Sequence, residues 1–419
     1  MYERDYAICE HISKIQKDKN YPRYIFASTG KNRKDRIAKA VAKLNGTLRF
    51  WLSVQSMDHK VLENIKRSNI KLEAMTGLVE SYSKLGLHSS SELIIGLPGE
   101  TLDSHIKSLS TLLDSGVGAI TTYNLMLLNG TEMNTKQHRE KYGLKSHFRI
   151  IPRDFGKLND GSISVEIEEI VTSSNAMSFE EYVQGRIYHL LIQIIYNNEV
   201  FSPFFKIMKH KKISIIGFLN NVKKNLSSAP KSFKQFVDSF IADTKRELWN
   251  SYDDLLAYAK KEENYEKLCS GKLGHNLLQT YNAIAIKMIP DWNNYIFEVF
   301  KESLDYDNID NQKQIMINEI NNYCMNRLYN IWGDNRCENN PHSKFNYNIS
   351  EWMRTIRKEN LSKFKFSKPT KIEFQFTPQQ DTDIRDNLER FGDTPTGIGR
   401  IIVKMGVVSN ILRQPRIVS

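Results

Sequence analysis

Three polar side chains interrupt apolar stretches of this 419-residue sequence in a way that could do chemistry. Gln55 ends the run WLSVQ, Arg67 ends the run HKVLENIKR, and Glu92 opens the run ELIIG. An amide donates and accepts, a guanidinium grips a carboxylate through parallel N–H groups, and a carboxylate accepts from hydroxyl or ammonium groups. Each could meet a polar ligand. A carboxylate on a strand covered on both faces is costly unless it meets a cation, a donor or such a ligand. The plainer alternative is a structural ion pair between Glu92 and Arg67. On residue chemistry alone both readings stand, and the plainer one is the default.

The acidic run leads directly into Gly96-Leu97-Pro98-Gly99-Glu100. Gly96 leaves room for backbone to approach a ligand, and Pro98 stiffens the turn. Glu100 and Thr101 open the next helix, where negative charge is favoured. Alone this is a weak signal, because ordinary strand-to-helix turns use the same residues.

The remaining candidates are weaker. His88, His105 and His210 are isolated, and a lone histidine is more often structural than a base or ligand. Tyr123 and Asn124 sit on an expected strand and either line its interior or face a ligand. Cys324 and Cys337, with His342 nearby, make a thin case for a metal. Ser89, Ser90 and Ser91 lack a nucleophile elbow. Residues 201–235 carry eight Lys and no Asp or Glu, interleaved with Phe201, Phe204, Phe205, Phe218 and Phe233. A solvated helix face above a Phe core is the plain reading; an anionic surface such as RNA is the other.

Composition bounds the class. Lys and Arg total 59 against 48 Asp and Glu, a net charge of +11, and 40% of residues are hydrophobic. That supports buried cores and excludes general disorder. No stretch approaches the roughly 18 apolar residues of a membrane span; Tyr188–Tyr196 is the longest candidate. The opening MYERDYAICEH lacks a secretory apolar block. The four cysteines, Cys9, Cys269, Cys324 and Cys337, are far apart, and none has the C-x2-C or C-x3-C spacing of a chelating loop. Reduced thiols in a cytoplasmic protein are expected.

Helix and strand signals alternate through the first 130 residues. Helices are predicted over 3–17, 34–44, 58–65, 72–85 and 102–113. Strands are predicted for RYIFAST, LRFWLSVQ, SSELIIG and AITTYNLML. That order demands an α/β fold, a parallel sheet with crossover helices, whose polar groups gather at the C-terminal strand ends. Residues 151–177 form a connecting region containing the strand 162–172. A mainly α-helical domain follows over 178–362, opened by a Ser178/Glu181 capping box. Residues 363–419 hold the strand KIEFQF and two closing helices.

The order of the polar features carries a resemblance. VQS-x-D-x-x-VL-x-x-I-x-R followed by an acidic strand and IIGLPGET resembles the later half of a radical S-adenosylmethionine (SAM) enzyme core. The separations, 12 residues from Gln55 to Arg67 and 25 from Arg67 to Glu92, are close to those of the coproporphyrinogen-oxidase branch. The resemblance extends to bacterial radical SAM proteins with a B12-binding domain, which carry a helical segment similar to SFEEYVQGRIYHLLI. It is specific over about 45–135, looser over 1–44 and 175–220, and only suggestive beyond. It implies a partial TIM-like barrel, here four parallel strands of a six-strand core in residues 1–150. It places SAM against Gln55, Arg67 and Glu92, with Gly96 and Pro98 in the binding turn.

One departure is large. The family's C-x3-C-x2-C loop, which holds a [4Fe–4S] cluster, has no counterpart here, and Cys9 is single and helical. Without the cluster, reductive SAM cleavage has no electron source. The expectation is therefore a C-terminal portion of a larger enzyme. The cluster, and any cobalamin for methyl transfer, would belong to the complete enzyme or to an N-terminal partner chain. The alternative is a non-catalytic SAM-binding or RNA-interacting protein. No residue identifies the substrate.

Overall fold

The computed structural model describes residues 3–22, 25, 27, 34–44, 47–48, 50–52, 54–69, 72–84, 88–355, 359–405 and 408–418. Two helices come first, α1 (Glu3–Lys19) and α2 (Lys34–Lys43). Then β1 (Phe50–Trp51), α3 (His59–Asn64), α4 (Leu72–Lys84), β2 (Ser89–Ile95), α5 (Leu102–Asp114) and β3 (Ala119–Asn124) alternate as the apolar runs and capping residues dictate. Asp58 caps α3 by accepting from Val61 N, and Thr101 with Ser104 forms a capping box on α5.

The strands form a parallel sheet in the order β1-β2-β3. Among the described residues it has three strands where four were expected. RYIFAST contributes the single parallel bridge Ile25–Leu48; residues 23–24, 26 and 28–29 lie outside the described ones. The expected strand 48–55 is regular only at Phe50–Trp51. Its course continues through Leu52 N to Ser90 O at 2.9 Å and Ile94 N to Gln55 O at 3.0 Å.

After α6 (Lys136–Tyr142) the chain departs further from expectation. β4 (Lys145–Lys157) and β5 (Ile163–Ser173) form a long antiparallel hairpin that runs through position 150. Leu125 N bonds Ile95 O, Val171 N bonds Leu125 O and Leu127 N bonds Glu169 O, so the hairpin is sewn to the end of β3. α7 (Phe179–Leu191) starts at the expected Ser178/Glu181 capping box. It passes into a π-helical turn over Ile192–Tyr196. That wide turn delivers Asn197, whose amide accepts from Ile120 N at 3.0 Å and donates to Ile120 O at 2.9 Å. One side chain thus satisfies backbone on the outer edge of β3, where a further strand would otherwise pair.

The later chain is mainly helical, with an antiparallel sheet of His342–Tyr347, Lys365–Gln375 and Gln414–Ile417; its first strand lies within the stretch expected to be mainly helical. Phe201, Phe204, Phe205, Phe218 and Phe233 are all core residues. Phe204 and Phe300 stack with ring centroids 4.0 Å apart. Lys206 turns inward, donating to the carbonyls of Trp352 and Thr355, and burial lowers its pKa to about 8. The Lys-rich stretch is therefore not one continuous basic face. A single apolar cluster joins Leu109 and Leu112 of α5 to Ile187 of α7 and onward to Leu412.

A buried polar chain fixes the turn between β2 and α5 to α7. Glu100, 1% exposed, accepts from Gly96 N at 2.9 Å and meets His105 Nδ1 at 3.0 Å. His105 Nε2 lies 2.8 Å from His189 Nε2. With both rings neutral and Glu100 ionised, His105 Nδ1–H donates to Glu100 and His189 Nε2–H donates to His105. His189 Nδ1 is then bare, and it has no partner among the described residues. Burial, then His105 and Arg186, holds the His189 pKa well below its ordinary value.

Two outcomes are expected. Phe300→Ala destabilises the chain by about 3–5 kcal/mol in chemical denaturation, the range for deleting a buried aromatic ring. His189 takes up a proton in the unfolded chain near pH 6.5 but resists it when folded, so its contribution to stability is lost as pH falls from 7 toward 5. His189→Gln therefore shows a smaller loss of unfolding free energy between pH 7 and pH 5 than the parent chain.

Candidate functional site

The parallel pairing sets which side chains share a face. Glu92 pairs with Thr121 and Ile94 with Tyr123, so these residues lie on one side of the sheet. The backbone bond from Ile94 N to Gln55 O brings Gln55 beside them. Glu92 is partly buried and makes no hydrogen bond or ion pair among the described residues. Its charge is nevertheless felt. The Tyr123 phenol is raised by burial first and by Glu92 second. The ordinary alternative, a Glu92–Arg67 ion pair, is not formed.

Arg67 lies just past α3, exposed, with its backbone N bonded to Leu62 O at 2.9 Å. The structure thus places the Gln55 backbone against the strand that carries Glu92 and leaves Arg67 at the adjoining helix end, without an ion pair among the described residues. Gly96 and Pro98 are buried and have scaffold reasons for their identity. Gly96 has φ +89°, and a Cβ there would stand 3.3 Å from Val171 O of the hairpin. The Pro98 carbonyl accepts from Asn64 Nδ2 of α3 at 2.9 Å.

Below this rim a cleft of about 840 Å³ opens between the sheet, the hairpin and the helical region. Ser90, Thr121, Tyr123 and Asn124 line it from the sheet side; Gln55, Arg67 and Glu92 do not. Across it stands an ionic cluster that no spacing along the chain assembles. Arg149 of β4 donates through Nε to Glu168 of β5 at 2.5 Å and through a terminal nitrogen to Glu247 at 3.1 Å. Asn124, with its amide oxygen turned toward Arg149, accepts at 3.0 and 3.2 Å. Burial works against the Arg149 charge, but Glu247 and Glu168 outweigh it and raise its pKa. The pairing across β4 and β5 was the missing signal, because Arg149 and Glu168 are register partners in a hairpin not expected from sequence.

The other candidates resolve as follows. His88 is exposed at the cleft and pairs with Glu199 at 3.3 Å. His105 belongs to the buried chain to His189, and His210 packs edge-on against Trp352. Ser89 Oγ accepts from Gly118 N at 3.3 Å. Cys324 is buried, its thiol pushed up to about 12, while Cys337 is exposed. No group of His, Cys, Asp or Glu that could hold a metal occurs among the described residues, and no described helix is long and apolar enough to cross a membrane.

No family model matches the chain. It is 30% identical over 200 residues to the cobalamin-dependent radical SAM methyltransferase TokK of Streptomyces tokunonensis, covering 46% of this chain and 29% of that protein. The 2-(S-pantetheinyl)-carbapenam-3-carboxylate methyltransferase of Streptantibioticus cattleyicolor gives the same identity and the same shares. The heme chaperone HemW of Buchnera aphidicola is 20% identical over 247 residues, covering 50% of this chain and 65% of that protein. The chain thus spans less than a third of the length of the two methyltransferases it matches. The IIGLPGET turn, the polar residues set against parallel strands and these relatives agree: over about half its length the chain resembles radical SAM proteins, with cobalamin-dependent methyltransferases and HemW among its homologues.

Proposed function

We propose that this chain is the SAM-binding portion of a radical SAM enzyme, and that its parallel strands belong to a partial barrel. The observation that carries the reading is the partly buried Glu92 carboxylate, without an ion pair among the described residues, on a parallel strand that runs into the Gly96–Glu100 turn. A carboxylate so placed is costly unless a ligand supplies donors. SAM supplies ribose hydroxyls and an ammonium for Glu92 and Gln55, and a carboxylate for the guanidinium of Arg67. Arg67, exposed at a helix end, has the reach to close over such a ligand from the rim. Gly96 and Pro98 hold the turn that shapes the near wall.

A [4Fe–4S] cluster would supply the electron for SAM cleavage. The described residues offer no group to hold it, so it belongs to sequence or a partner chain beyond these residues. Cobalamin-dependent methyl transfer is the finer reading. It draws on the two methyltransferase relatives, and a cobalamin domain would likewise stand outside this chain.

The test is SAM affinity by equilibrium dialysis, on this chain alone and in complex with a polypeptide carrying C-x3-C-x2-C. Glu92→Ala and Arg67→Ala are each expected to weaken binding about 10-fold or more, the cost of losing one charge-assisted hydrogen bond. Unchanged affinity in both variants removes the site assignment.

A further inference from the structure

Arg186 of α7 is 3% exposed and lines the cleft. None of its nitrogens makes a hydrogen bond or ion pair among the described residues, and its Nε is fully buried without a partner. The Phe240 ring lies 5.8 Å from the guanidinium carbon and compensates it only in part. A buried guanidinium is rarely left so, because each of its five donors that loses water without gaining a partner is costly.

The neighbouring charges do not account for it. Glu168 and Glu247 face the same cleft, but both carboxylates are engaged by Arg149. That trio carries one net negative charge, which balances Arg186 only at a distance. His275 lines the same cleft, and its buried Nδ1 is also unpartnered. Two residues with an unsatisfied buried nitrogen therefore line a space large enough for a small molecule.

We propose that Arg186 is an oxyanion anchor: it binds the carboxylate or phosphoryl group of a small molecule lodged in the cleft. Calling that molecule the substrate rests on the radical SAM reading; the anion site does not. An oxyanion takes two parallel N–H bonds from the guanidinium in a geometry chloride cannot match. A negatively charged small-molecule substrate is then the class this cleft accepts.

The full chain is titrated by calorimetry with inorganic phosphate and, separately, with 4-bromobenzoate, at constant ionic strength held with chloride. Saturable binding of either is expected, weakened about 10-fold or more in Arg186→Gln and partly retained in Arg186→Lys. Phosphate alone marks a phosphoryl ligand, 4-bromobenzoate alone a carboxylate, and either supports the anchor. SAM affinity of Arg186→Gln should match the parent chain, so failure of the SAM site and failure of the anchor are read separately. Crystals of the unmutated protein soaked in selenate or 4-bromobenzoate should show anomalous density beside the guanidinium. No saturable binding, equal binding by Arg186→Gln, or anomalous density only elsewhere overturns the proposal.

Discussion

The carboxylate of Glu100 is the constraint on which the arrangement of the site depends. It sits in the interior, receives the amide of Gly96 and faces the ring of His105, so it closes the β2–α5 turn from within. The turn cannot unfurl without abandoning a buried carboxylate, a cost of several kcal/mol. His105 passes the tie to His189, which belongs to α7, 84 residues further along the chain. The position of the β2–α5 turn and the position of α7 are therefore set by the same three side chains. Arg186 lies on that helix, one turn before His189.

The division between what was readable in the sequence and what was not follows contact range. Helices α1 to α5 and the strands β2 and β3 declare themselves through local periodicity and caps, and they lie within two or three residues of expectation. The Ser178/Glu181 box behaves the same way, since every atom of it is four residues apart or less. β4 was missed because KSHFRIIPRDFGK mixes charges and a proline with its apolar residues. The Asn159-Asp160-Gly161 turn after it, with Gly161 at φ +83°, was the local signal that a hairpin follows.

The site divides along the same line. The Gln55 backbone is brought to the strand of Glu92 by a pairing that the apolar pattern predicts. The ring of Arg149, Glu168, Glu247 and Asn124 needs a hairpin and the end of a distant helix, so no spacing rule reaches it. Gly96 had a legible type and an illegible reason. The chain uses glycine there because Val171 O passes close by, a contact 75 residues away in sequence.

The β4–β5 hairpin also sets how the cleft can behave. Phe148 and Trp249 exchange backbone bonds of 2.8 Å in each direction, and Arg149 beside them holds Glu247. One wall is thus bolted to the other at two adjacent residues. A clamshell that swung open to admit cargo would have to shear both fastenings together.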